Sequence, residues 1–298
     1  MNHFGGNWTE NKIDILVDYA KAYLIIMKKY AEKYNWKLMY FDGFAGSGLI
    51  INEMKDEDGQ NLIFENRDQV KDVIVGAAKR ILEIEKPMSF DEYYFVEKDK
   101  SNFENLTQNT VNKYTHKKIH TAQTDCNEKM LGMSKFLQSQ KGKKFKVLAY
   151  IDPCGMQLEW SSLEALKGLS VDMWILIPSG MGVNRLLTSS GEISEAWLRR
   201  LGLFLGMPIE DLKSFFYDKR VVTNLFGDKE TVVTKLDKAI NRSAELYSKR
   251  LGELFDHVSE TYVLRNKSRT TMYHFLMVSN NKTAVTIAND IIRKYKYK

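Results

Sequence analysis

Two cysteines, Cys126 and Cys154, are too few for a disulfide framework or a cysteine-based zinc site, and such scarcity fits a reducing compartment. Prolines number four and no low-complexity tract is present, which excludes an extended or disordered chain. No stretch approaches the roughly 20 apolar residues of a membrane span, and the opening MNHFGGNWTE lacks the charged-then-apolar layout of a secretory leader. The expectation is a cytoplasmic protein with no membrane partner and no metal. Charge of one sign is also in short supply. Against 44 Lys and Arg stand 38 Asp and Glu, and the net +6 leans only weakly toward an anionic partner such as a nucleic acid. What is plentiful is apolar content, 44% of 298 residues, enough for one large domain over 1–298.

Apolar residues at steps of three or four, Ile13, Leu16, Ala20, Tyr23 and Met27 among them, predict an amphipathic helix over about 10–34 with Thr9 as its N-cap. Short buried-type runs follow at Lys37–Asp42, Tyr93–Glu97, Lys118–Ala122, Val147–Asp152 and Met173–Pro178, with helical pattern between them. Helices are expected over Val73–Ile84 and Trp160–Leu169. Strands alternating with helices imply parallel crossovers and a doubly wound α/β sheet. The charged stretch 52–72 reads as a surface excursion. From Val233 to Leu254 one apolar stripe predicts helix, so 186–257 is read as a helical insertion after the fifth strand. Two further strands, Thr261–Leu264 and Met272–Val278, and a helix over Thr283–Lys294 close the chain.

The strongest chemical signal is Asp42-Gly43-Phe44-Ala45-Gly46-Ser47-Gly48 at the end of the first strand. Glycines there permit a sharp turn and close approach of a ligand to the backbone. A nicotinamide-binding loop shows G-x-G-x-x-G running into a helix; here the order is G-x-x-G-x-G behind an acid, which argues against an oxidoreductase of that kind. An acid at that place repels phosphate but attracts an ammonium, and exposed N–H groups of the turn would meet a carboxylate. This pattern resembles the class I S-adenosylmethionine-dependent methyltransferases, whose sheet is mostly parallel and seven-stranded. The resemblance implies S-adenosylmethionine as cofactor, Glu97 on the ribose hydroxyls, and Asp125-Cys126 near the adenine. Read without it, Glu97 is a strand-end acid and Asp125 a helix N-cap.

Asp152-Pro153-Cys154-Gly155 falls where amino-methyltransferases acting on bases carry Asp-Pro-Pro-aromatic. A carboxylate and a turn carbonyl there can accept from an exocyclic amine and aim its lone pair at the methyl donor. Cys154 and Gly155 depart from that pattern; the departure resembles the Asp-Pro-Phe-Gly variant of tRNA guanine-N2 methyltransferases, with Trp160 or Trp8 available to supply the missing ring. Cys154 as a covalent nucleophile is the alternative, although no base lies near it in sequence.

Taken together, Gly5-Gly6-x-Trp8-x-x-x-Lys12, the glycine turn, Asp152-Pro-x-Gly155-Met-Gln-x-Glu159-Trp160, Pro178-Ser-Gly180 and Asn184-Arg185 are similar to the bacterial three-Cys-motif partner family. That resemblance implies a separate three-Cys-motif protein as partner and places Trp8, Lys12, Trp160, Asn184 and Arg185 on the substrate side. Lys141–Lys146, Arg265–Arg269 and Arg293–Lys298 are basic stretches that could follow a nucleic-acid backbone or merely be solvated. Two functions are expected to compete: a methyltransferase for a nucleic-acid base or another amine-bearing acceptor, and a catalytically silent module that binds S-adenosylmethionine or its partner in a defence or modification system.

Overall fold

The computed structural model describes residues 7–47, 49–51, 73–180, 194–223, 229–235, 239–266 and 268–296. Gly48, Asn184 and Arg185 lie outside the described residues, as do Gly5 and Gly6. Trp8 is placed only as part of helix α1, Asn7–Tyr34, which already runs at Thr9 and therefore does not take that residue as its N-cap.

A parallel core of β1 (Lys37–Asp42), β4 (Glu92–Val96), β5 (Ile119–Ala122), β6 (Phe145–Ile151) and β7 (Val171–Ile177) is flanked by β12 (Thr271–Ser279), antiparallel to β7. The order is β10-β12-β7-β6-β1-β4-β5, seven strands in one path. Strand β10 (His257–Val258) and, off that path, β11 (Tyr262–Arg265) both pair antiparallel with β12. This is a doubly wound, mostly parallel Rossmann-like sheet, as the alternating pattern implies. The direction of winding reverses between β1 and β6. Their carboxyl ends therefore flank a crevice not covered by a crossover, the place where open α/β sheets bind ligands.

Side chains alternate across each strand, so one strand feeds two cores. Leu38, Tyr40, Leu148, Tyr150, Trp174 and Leu176 face α1, α2 (Ala77–Leu82) and α9 (Lys282–Lys296). Met39, Phe41, Val147, Ala149, Ile151 and Ile175 face α4 (Cys126–Gln138), α5 (Trp160–Glu164) and the insertion. Burial on both faces explains why these runs are continuously apolar rather than alternating.

Three local expectations change. Val73–Val75 forms β3, which pairs antiparallel with β2 (Leu49–Ile51), and the helix starts only at Ala77, because the β-branched run Val-Ile-Val gains a partner strand and Gly76 then breaks it. Helix α5 is five residues long, ending in turns before Gly168, whose φ of +72° is left-handed. The insertion contains α6 (Glu195–Leu205), α7 (Ile209–Phe216) and α8 (Ala239–Leu254) as expected, but Tyr217–Thr223 and Lys229–Lys235 form a hairpin, β8 and β9. Val233 thus belongs to a strand; Tyr247 and Leu251 carry the buried stripe of α8.

Candidate active site

A cavity of about 280 Å³ opens at the carboxyl ends of β1 and β6. Its walls bring together Asp42, Phe44, Ala45, Gly46, Asp152, Pro153, Cys154 and Lys12, with Ser47, Tyr150 and Tyr273 beside them. Eight sequence-derived candidates from three separate segments thus meet in one place.

Asp42 is the last residue of β1 and only 1% exposed. Its Oδ1 accepts from the Phe44 N–H (3.2 Å) and its Oδ2 from the Tyr40 hydroxyl (3.4 Å). Burial pushes its carboxyl up to about 7; the Phe44 N–H opposes that rise, and the charges of Asp152 and Glu97 add to it. Asp152, on the same face one strand over, accepts from the Lys12 ammonium at 2.5 Å and from the Tyr150 hydroxyl at 2.8 Å. Lys12 is 7% exposed, so this is a largely buried ion pair held by the first turns of α1. Two carboxylates and one ammonium therefore share a small, partly dry volume.

The glycine turn works differently from the expectation. Four of its N–H groups are already engaged: Gly43 donates to the Tyr150 carbonyl, Ala45 to the Val96 carbonyl, Phe44 to Asp42 and Gly46 to Glu97. They are not a vacant cradle for a carboxylate. Lys12 is the cation that lines the cavity, and it is paired with Asp152. The glycines are needed for packing and conformation. A Cβ on Gly43 would fall 2.5 Å from the Cys126 sulfur, and Gly46 sits at φ +61°. Cys126, buried with its thiol pushed up by desolvation, is the wall behind the turn rather than a group that touches a ligand in the cavity.

Glu97 does not line the cavity. Its two oxygens accept from Gly46 N–H (2.9 Å) and Asp99 N–H (2.7 Å), so it fastens the turn to the end of β4 with lone pairs left over. Asp125 caps α4 through the Asn127 N–H (2.9 Å) and pairs with Lys98 (3.0 Å), the capping alternative. Burial would raise its pKa, but Lys98 and the Asn127 bonds hold it below the usual carboxylate range.

Cys154 borders the cavity on an exposed turn, and partial burial of its thiol together with the Asp152 charge raises its pKa, with Lys12 opposing. Gly155 has nothing within 4 Å of where a Cβ would stand. Trp160 corrects an expectation: at 3% exposure it lies edge-on to Tyr247 (5.4 Å), under the Arg250 guanidinium (4.4 Å), and cannot stack on a base. A Cβ on Gly206 would come within 2.3 Å of its ring. Ser179 is likewise fully buried, with its Oγ 2.6 Å from His274 Nδ1, and burial lowers that imidazole to about 4.

Tyr40, Tyr150 and Asn127 are contributors that sequence reasoning missed. The tyrosines sit two residues before each acid, on the same strand face, a period-two signal that was available. Asn127 is 8% exposed and binds Asp125, the Gln157 carbonyl (2.8 Å), the Glu159 N–H (2.8 Å) and Ser162 (3.1 Å). It pins the segment after Asp152 to α4, a long-range role with no sequence signature. Among the described residues no cluster of His, Cys, Asp and Glu could hold a metal ion, and no described helix is long and apolar enough to cross a membrane.

No family model and no curated protein matches this chain. Among solved structures it is similar to a Legionella pneumophila protein of the family DUF519, 13% identical over 95% of this chain and 92% of that one, with a TM-score of 0.49. It is also similar to Trm1 from Pyrococcus horikoshii, solved in complex with S-adenosyl-L-methionine, 12% identical over 97% of this chain and 72% of that one, with a TM-score of 0.38.

Proposed function

We propose that this protein is a class I S-adenosylmethionine-dependent methyltransferase acting on an amine-bearing acceptor, with a nucleic-acid base as the favoured substrate class. The observation that carries the reading is the mixed charge of the switch-point cavity: Asp42 and Asp152 with Lys12 between the ends of β1, β6 and α1. An amino-acid zwitterion needs both signs within a few ångströms, whereas a pyrophosphate would meet two carboxylates. The residues present therefore fit the methionine end of the cofactor, with Lys12 facing its carboxylate and Asp42 its ammonium. Bound there, the cofactor supplies an electrophilic methyl group. Asp152 and the Pro153 turn border the same space and would orient an acceptor amine, while Phe44 and Tyr273 help exclude water. Glu97 and Asp125 would contact the sugar and adenine through lone pairs that their internal bonds leave available.

The test is calorimetry with S-adenosylmethionine, followed by transfer of labelled methyl to RNA, DNA and protein fractions in the presence and absence of a three-Cys-motif protein. Binding with transfer, lost in Asp152→Ala while binding persists, supports the enzyme. Absence of binding overturns the reading. Binding without transfer to any fraction favours the silent module, which the Lys12 clamp on Asp152 and the small Gly155 also support.

A further inference from the structure

At the opposite end of the same two strands the surface has another character. Helix α1 ends at Tyr34, Asn35 adopts φ +52°, and the Trp36 N–H returns to the Ala31 carbonyl at 3.0 Å. Asparagine tolerates that left-handed conformation, and the reversal folds Trp36 back over the helix it has just left. Tyr30, Tyr34 and Trp36 consequently stack. Tyr30 and Tyr34 are 6.5 Å apart with planes 7° from parallel, and Tyr34 and Trp36 are 5.0 Å apart at 28°. Tyr30 is 44% exposed and Tyr34 49%, and Ile26 extends the same helical stripe one turn back. Large aromatics left in water at consecutive turns of an otherwise buried-faced helix are unusual.

The surroundings are basic. Residues 28–37 hold four lysines against one acid, Glu32, and residues 141–146 hold four lysines and no acid. Lys37 stands opposite Phe145 in the β1/β6 register, so the two segments adjoin. Lys33 lies 5.0 Å over the Tyr34 ring and Lys146 4.4 Å over Trp36. Lys146 also donates to Ser170 (2.7 Å), and Lys37 pairs with Asp91 (3.1 Å), leaving the other lysines of both segments as the excess positive charge.

We infer that this aromatic and lysine platform, at the amino end of β1 and β6, binds single-stranded nucleic acid. The half-exposed Tyr30 and Tyr34 present aromatic surface on which a base can continue their stack, and flanking ammonium groups follow the phosphates. An acidic protein would match the lysines but leave the stacked rings without use. The platform is roughly 20 Å from the cavity, the length of six strand residues, so its binding can be measured apart from any methyl transfer there.

The experiment is a fluorescence-anisotropy titration of the full chain with labelled oligo(rU), oligo(dT) and a duplex of equal length, over a salt series. The expected result is tighter binding of the single strands than the duplex, weakening as salt rises. Tyr30→Ala/Tyr34→Ala should lose about tenfold or more in affinity, since each stacked base is worth ~1–3 kcal/mol. Lys33→Gln/Lys144→Gln should flatten the salt slope. Both pairs are exposed, and an unchanged melting temperature verifies the fold. Equal affinity of the ring variant and the unaltered chain overturns the inference. So does a duplex bound as well as single strands, or polyglutamate displacing the oligonucleotide at equal charge concentration.

Discussion

The two faces of the sheet are built on opposite terms. On the α1 face, near the carboxyl ends of the strands, two acids, an ammonium and two phenols crowd a cavity, and burial works against the charge of Asp42. On the other face Trp160, Gly206, Tyr247 and Arg250 interlock without spare room, and the Arg250 guanidinium donates to the Gly206 carbonyl (2.7 Å) and to that of Leu205. In one region burial opposes the charge of Asp42. The other gains stability through packing, since dense apolar contact is where cores gain. Neutralising the buried Asp42 should therefore stabilise the fold at neutral pH and above, whereas a substitution that disturbs the packed face should destabilise it.

The largest effect is expected at the packed face. Gly206→Val combines a left-handed φ of +63° with a collision against Trp160 and should cost about 3 kcal/mol or more, read as a lower urea midpoint. A midpoint like the unaltered protein's would break the contrast. Next comes the ion pair. Lys12→Met and Asp152→Asn each leave a partner behind, at about 2–4 kcal/mol, while the double variant should cost much less than the sum, which a double-mutant cycle measures.

Asp42→Asn tests the other sign. The native carboxyl binds its proton up to about 7, against 3.8 unfolded, so the folded state holds the extra proton between those values. Stability contributed by this group is present at low pH and falls as pH rises through that window, with a ceiling on the order of 4 kcal/mol. The asparagine variant should lose that slope and melt higher than the unaltered chain at pH 8, with the two converging near pH 4, while binding S-adenosylmethionine more weakly. An unaltered pH dependence would show that Asp42 is not the strained group. The smallest effect belongs to Gly155→Phe, which enters open space and should shift stability by less than about 0.5 kcal/mol. A changed choice of methyl acceptor in that variant would sharpen the assignment of this rim to substrate.

The sheet was legible because parallel strands buried on both faces write continuous apolar runs. Lys37–Asp42 is found with its bounds intact, and β6, β7 and β12 differ by one or two residues at their ends. The hairpin of β8 and β9 was not legible: its apolar residues fall at spacings that a helix also permits, and strand pairing decides between them. At the cavity, residue type and position pointed to Asp42 and Asp152 and the family resemblance to Lys12, but nothing in the sequence pointed to the ion pair that Lys12 and Asp152 form across 140 positions. Trp160 was misplaced for a similar reason. An indole reads the same in sequence whether it stacks on a ligand or serves as the anvil for an inserted helix.

The pairing of Leu49 with Val75 joins the exit from the glycine turn to the entry into α2, and Gly46, Gly76 and Ala77 all border the cavity. The two ends of the chain between Ile51 and Val73 are thus stapled together at the rim, independently of what is spliced between them. The backbone pairing of β2 with β3 therefore holds this part of the cavity rim, so substitutions that spare the pairing should leave the rim in place.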